Sequence, residues 1–166
     1  MTPTPTGRVE RRGENFALIL SRTFDAPIEE VWASVTESDR LARWIGTWEG
    51  NPADGVVDWT MTAEGVTTPE PMRIRECTPP HSLKVTAESP MGHWPMEIEL
   101  KEVEGGTTLT FTHTDVHREW LGSIGAGWEY YLDRLVAAET GGDVAAIDFE
   151  RDYFPSMGDH FSAPED

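Results

Sequence analysis

Apolar and polar positions alternate in short runs along most of this chain, and the alternation gives way twice to helical spacing. NFALILSRTF sets Phe16, Leu18, Leu20, Arg22 and Phe24 on one side and Ala17, Ile19, Ser21 and Thr23 on the other, which predicts a strand from Asn15 to Phe24. In DAPIEEVWASVTESDRLARWIG, Ile28, Val31, Trp32 and Val35 recur as on one face of a helix, with Asp25 as its cap and Pro27 in its first turn. Ser38-Asp39 then opens a second short helix carrying Leu41, Ala42, Trp44 and Ile45 up to Gly46.

Period-two runs resume after Gly46, separated by Asn51-Pro52, Asp54-Gly55, Pro79-Pro80 and Gly105-Gly106, and they predict an antiparallel meander. Its apolar phase takes Val57, Trp59 and Met61, then Met72, Ile74 and Glu76, then Leu83, Val85 and Ala87. It continues through Trp94, Met96, Ile98 and Leu100 to Leu109, Phe111 and His113. The opposite phase, with Lys84, Thr86, Glu97, Glu99, Thr108 and Thr110, is polar, so one face of the sheet meets water. A last helical pattern on Trp128, Tyr131, Leu132, Leu135 and Val136 runs to a glycine stop at Gly141-Gly142. A sheet with one apolar face and a long helix with one apolar stripe satisfy each other when the sheet curves around the helix, and the gap between them is a natural binding chamber. The expected fold is therefore α+β.

Three segments follow: an arm over 1–14, one domain over 15–142 and an acidic extension over 143–166. The arm has two Thr-Pro pairs and no periodicity, which predicts a mobile segment. The extension has seven acidic residues against Arg151, yet carries Ile147, Phe149, Tyr153, Phe154 and Phe161. Such an aromatic content predicts docking, either on its own domain or across a homodimer.

A length of 166 residues suits a single core. The net charge of −17 repels phosphate backbones and anionic headgroups, so nucleic acid is not an expected partner. No run of apolar residues is long enough to span a membrane and the N-terminus lacks a secretory pattern, so the expectation is a cytoplasmic protein without membrane insertion. Cys77 is the single cysteine and reads as a small buried hydrophobe. Seven tryptophans are many for this length and suit the lining of a cavity or an interface.

DAPIEEVWASVTESDRLARWI resembles the entry motif of the START-like (SRPBCC) superfamily, in the branch named for activators of the 90-kDa heat-shock chaperone ATPase. The matching positions are Ala26, Pro27, Val31, Trp32, Thr36 and Trp44. MRIRECTPPHSLKVTAE is similar to the family's strand, double-proline turn and strand, GGTTLTFTHTDV to its penultimate strand, and Gly127, Trp128, Leu132 and Leu135 to its closing helix. The resemblance implies a helix-grip fold: a curved antiparallel sheet around a long C-terminal helix, two short helices after the first strand, and a cavity between. Such folds serve as lipid carriers, hormone receptors, cyclases and co-chaperones, so function is not fixed by the fold.

Candidate chemistry narrows the choice. GSIGAGW lacks the lysine of a phosphate-binding loop, so Gly122, Gly125 and Gly127 read as a flexible, close-packing lead-in to the helix. No cofactor motif is present, and His113 and His117, on a strand-like run without a glutamate between them, do not make a zinc pair. No nucleophile motif surrounds Cys77 or any serine. The expected cavity wall comprises Trp44, Trp59, Met61, Met72, Ile74, Met96, Phe111, His113, Trp128 and Leu132, with Arg22 and Glu76 as its polar members. Arg22, Glu76 and His113 either satisfy one another and the backbone or recognise the polar end of a ligand. Three functions fit: binding a small apolar or aromatic molecule, docking on a chaperone or acting in a stress response, or cyclase- or hydrolase-like acid/base catalysis through His113 or Glu76.

Overall fold

The computed structural model describes residues 3–90 and 92–161; the outer ends of the expected arm and extension, residues 1–2 and 162–166, lie outside the described residues. The chain runs through β1 (Arg8–Arg12), β2 (Asn15–Phe24), α1 (Ile28–Thr36), α2 (Ser38–Leu41), β3 (Thr47–Glu49), β4 (Val56–Thr60), β5 (Glu70–Thr78) and β6 (Ser82–Ser89). It continues through β7 (Gly92–Val103), β8 (Gly106–Val116), α3 (Leu121–Thr140) and a short α4 (Phe149–Asp152), with single 3-10 turns in several connections.

The strands form one antiparallel eight-stranded sheet in the order β1-β2-β8-β7-β6-β5-β4-β3. β2 pairs with β8, so α1 and α2 must carry the chain from one half of the sheet to the far edge, where β3 begins. The open sheet with α3 against its apolar face is the helix-grip arrangement. Pairing of Arg22 with Leu109, Leu20 with Phe111 and Leu18 with His113 aligns the inward residues of β2 and β8 in one register. Leu18, Leu20, Leu109, Leu132 and Leu135 are almost fully buried there, and Phe16, Val31 and Phe111 complete this half of the core. α3 ends where Gly141 enters the left-handed region at φ 76°, which lets the Gly142 amide reach the Ala137 carbonyl at 2.8 Å.

Three local expectations are corrected. Pro27 stands outside the first turn of α1, where its carbonyl accepts from the Glu30 and Val31 amides, and no side chain caps the helix. Residues 8–12 are a strand rather than part of a mobile arm, because Gly13 (φ 69°) turns the chain back and Val9 pairs with Leu18 along β2. The segment before β1 is tied down as well. Glu129, buried on α3, accepts from the Thr6 amide at 2.5 Å, the Gly7 amide at 2.7 Å and the Thr6 hydroxyl at 2.9 Å.

The glycines of GSIGAGW are the third correction, since Gly122, Gly125 and Gly127 lie within α3 rather than leading into it. The extension docks on its own chain: Tyr153, Met157 and Phe161 are buried, and the Phe161 ring lies directly on the backbone of Gly125. A methyl group at Gly125 would penetrate that ring. Gly125→Ala is therefore expected to lose about 1–3 kcal/mol of stability to overpacking, instead of gaining the roughly 1 kcal/mol that alanine brings to an open helix position. Urea unfolding of this variant, with and without Phe161→Ala to make room, checks both the sign and the cause.

Candidate functional site

Between the sheet and α3 lies a cavity of about 1150 Å³. All ten residues expected on its apolar wall border it, including Trp44, Met96, Phe111 and Leu132 in the buried part and Trp59, Met61, Met72 and Ile74 in the half-buried part. The two halves of the sheet differ in cover. Inward residues of β2 and β8 are sealed by α3, whereas Met72, Ile74, Leu83, Val85 and Ala87 on β5 and β6 point into the same space and stay half-buried. The apolar wall is thus wider than the helix that covers it.

His113 sits at the junction. Its ring is 3% exposed, Trp94 approaches it at 5.1 Å between centroids, and the Trp128 ring meets it edge-on at 6.2 Å. The Trp128 indole N–H donates to His113 Nδ1 at 3.0 Å, so Nδ1 carries the lone pair and the neutral ring holds its proton on Nε2. Burial pushes the imidazole down from 6.5 to about 4, with the Asp115 carboxylate opposing the shift, so the ring is neutral at physiological pH. A ring with one nitrogen engaged by an indole and the other already protonated has no free lone pair to act as a base. Tyr131, on the same helix face, donates to Glu64, and burial together with that carboxylate holds its hydroxyl far above the usual phenol range.

Arg22 and Glu76 do not join the cavity wall. Arg22 does face inward, but its guanidinium reaches the flank of α3, where it donates to Glu129 Oε1 at 2.8 Å and to Asp133 Oδ1 at 3.1 Å. Tyr153 donates to the other oxygen of Asp133 at 2.7 Å, so this cluster joins β2, α3 and the C-terminal extension. Glu76 is on the outer face, accepting from the Ser82 hydroxyl at 2.6 Å. The cause is a bulge: Ile74 pairs with Val85 but Glu76 pairs with Lys84, so one extra residue at Arg75 reverses the phase. The same reversal turns Cys77 to the cavity side opposite Leu83, where it is exposed rather than buried. Glu76 therefore supplies no acid or base to the chamber.

Trp94 and Tyr131 also border the cavity, beyond the ten residues expected on its wall. Trp94 shares the phase of Met96, and Tyr131 follows Trp128 by one helical turn, so both signals were present. Glu64 and Glu70 also border the cavity: Glu64 comes from the turn after β4 and carries no such signal, whereas Glu70 shares the phase of Met72 and Ile74 on β5 and pairs with Trp59. His117 borders the cavity as an exposed residue beyond the end of β8. No helix among the described residues is long and apolar enough to cross a membrane.

A family model described as "Activator of Hsp90 ATPase homolog 1-like protein" matches residues 25–139. CalU16 from Micromonospora echinospora is similar in structure: its solution structure has a TM-score of 0.75 at 24% identity, covering 95% of this chain and 92% of that one. Its crystal structure gives 0.71 at 21% identity, over 94% and 93%. A conserved protein of unknown function from Enterococcus faecalis, EF2215, gives 0.68 at 22% identity, over 94% and 86%. No curated protein matches the sequence.

Proposed function

The chain belongs to the Activator of Hsp90 ATPase homolog 1-like family, and we propose that it holds a small, mostly apolar molecule between its sheet and long helix. One observation carries the reading: Met72, Ile74, Leu83, Val85 and Ala87 line the cavity, yet the described chain leaves them only half-buried. Leaving such a wall to water forfeits roughly 25 cal/mol for each Å² of apolar surface that a ligand would bury. A volume near 1150 Å³ lies just above the usual range for small-molecule sites and suits a ligand with several fused rings or a long chain. Half-buried methionines and tryptophans supply an adaptable surface and flat faces. Acid/base catalysis gains no support, because Glu76 is outside the cavity and His113 has no free lone pair.

A thermal-shift and native mass spectrometry screen with sterols, fatty acids, neutral polycyclic aromatics and Nile red tests the reading. A ligand present at a hundred times its Kd is expected to raise Tm by about 5–10 °C for a chain of this size. Ala87→Trp fills the half-buried wall and is expected to abolish that rise while leaving the unliganded Tm within a few degrees. Absence of any bound species across all four classes would refute the reading.

A further inference from the structure

Among the described residues, His113 is the one deeply buried polar side chain on the cavity wall whose hydrogen-bonding capacity is only half used. Nδ1 is taken by the Trp128 indole, which leaves Nε2–H as a donor. Among the described residues Nε2 has no protein partner, and no buried side-chain nitrogen or oxygen is sealed away without one. Nε2 therefore borders the chamber. The donor is oriented by its neighbours: Trp94 lies against one side of the ring, Trp128 meets it edge-on, and the backbone of His113 is fixed by pairing with Leu18 and Met96.

The charge of the wall adds a second, independent restriction. Among the described residues bordering the cavity there is no lysine and no arginine; Glu64, Glu70 and Asp115 are present, and apart from His113 the basic side chains are His93 and His117, both exposed at the rim. An anionic group brought to the buried end beside His113 would lose its hydration without meeting a lysine or arginine, which costs several kilocalories in an apolar setting. A carboxylate or phosphate ester is thus disfavoured, even though a lone N–H donor would by itself accept one.

We propose that the ligand of this chamber is uncharged and carries an oxygen acceptor, of the ketone, quinone, lactone or amide type, which binds His113 Nε2–H, and that fatty acids and phospholipids are excluded. The proposal rests on the cavity being a ligand site and specifies its chemistry. It assigns His113 to binding: the ring orients the carbonyl without exchanging a proton. Trp128 is a positioning residue, since its indole N–H fixes which nitrogen bears the proton.

Fluorenone, fluorene and fluorenone carboxylate are near-equal in shape and differ in the groups that matter, so they separate the possibilities by titration with tryptophan fluorescence or calorimetry. Fluorenone is expected to bind about tenfold more tightly than fluorene, the upper range for one neutral hydrogen bond, and the carboxylate more weakly than fluorenone. In His113→Phe the preference for fluorenone over fluorene should collapse to about onefold, with fluorene binding retained. Side-chain 15N spectra of the unaltered protein give a second readout that does not depend on the variant folding. The proton should reside on Nε2 at neutral pH, and that resonance should move with fluorenone and stay in place with fluorene.

Equal affinities for fluorenone and fluorene, tighter binding of the carboxylate, or a proton found on Nδ1 would each overturn the proposal while leaving the cavity as a ligand site. Binding of a fatty acid with neither fluorenone nor fluorene bound overturns it in the same way. Silence of these probes together with silence of the whole thermal-shift panel removes both readings.

Discussion

Glu129→Ala is expected to destabilise the protein by about 3–5 kcal/mol, the loss typical of removing one partner from a buried ion pair. Glu129 is 1% exposed and accepts from Arg22, the Thr6 hydroxyl and two backbone amides, so its removal strands a cation and loosens the N-terminal segment together. Asp133 remains within reach of Arg22 at 3.1 Å and limits the loss. The cost comes from the uncompensated charge more than from the missing contact. Replacing both members, Arg22→Met with Glu129→Leu, should accordingly restore part of the stability, because the apolar pair removes the stranded cation while the Thr6 and Gly7 amides and Asp133 still lose their partner. Urea unfolding of the three variants tests this. A single-variant loss below about 1 kcal/mol would mean that water reaches the cluster and screens it.

The second large effect is a pH dependence carried by His113. Its folded imidazole is pushed from 6.5 down to about 4 by burial, so the unfolded chain takes up a proton at a higher pH than the folded one. The neutral ring's contribution is complete above pH 6.5 and is lost progressively as the pH falls toward about 4. The window corresponds to about 3 kcal/mol at 1.36 kcal/mol per pH unit. Stability measured by urea unfolding across this range, in the unaltered protein and in His113→Phe, isolates the histidine from the many carboxylates that titrate nearby. The variant also loses the Trp128 hydrogen bond, but that loss is a constant offset. The two curves should converge in slope at neutral pH and diverge below it. Parallel curves throughout would show that the imidazole titrates equally in both states.

Much of the fold is legible in the pattern of residues. Alternation along NFALILSRTF and along the runs up to His113 identifies the strands, because a half-buried antiparallel sheet demands one apolar face and one polar face. Helical spacing from Trp128 to Val136 and the glycines after it mark the long helix and its end, and Gly141 does adopt the left-handed conformation that a helix stop requires. The apolar lining of the cavity follows from the same phase, and all ten residues chosen on that basis do border it. The first strand was hidden, since RVERR has a single apolar residue and is held by its pairing with β2 rather than by its own composition.

The polar part of the site required the tertiary structure. Strand phase alone places Glu76 inward, and only the register between β5 and β6 reveals the extra residue at Arg75 that turns it out and brings Cys77 in. Phase alone also places Arg22 inward correctly, but whether an inward cation meets a cavity or a carboxylate depends on which face of α3 it meets, and here it meets Glu129 and Asp133. The role of Gly125 is decided 36 residues further along the chain, by the aromatic ring of Phe161 resting on it. By itself the sequence determined which residues are apolar and in what period, and therefore the elements, their amphipathic faces and the apolar wall. The tertiary structure decided the pairing of charges, the reversal at the bulge and the proton position on His113, because each depends on partners distant in the chain, which local periodicity does not encode.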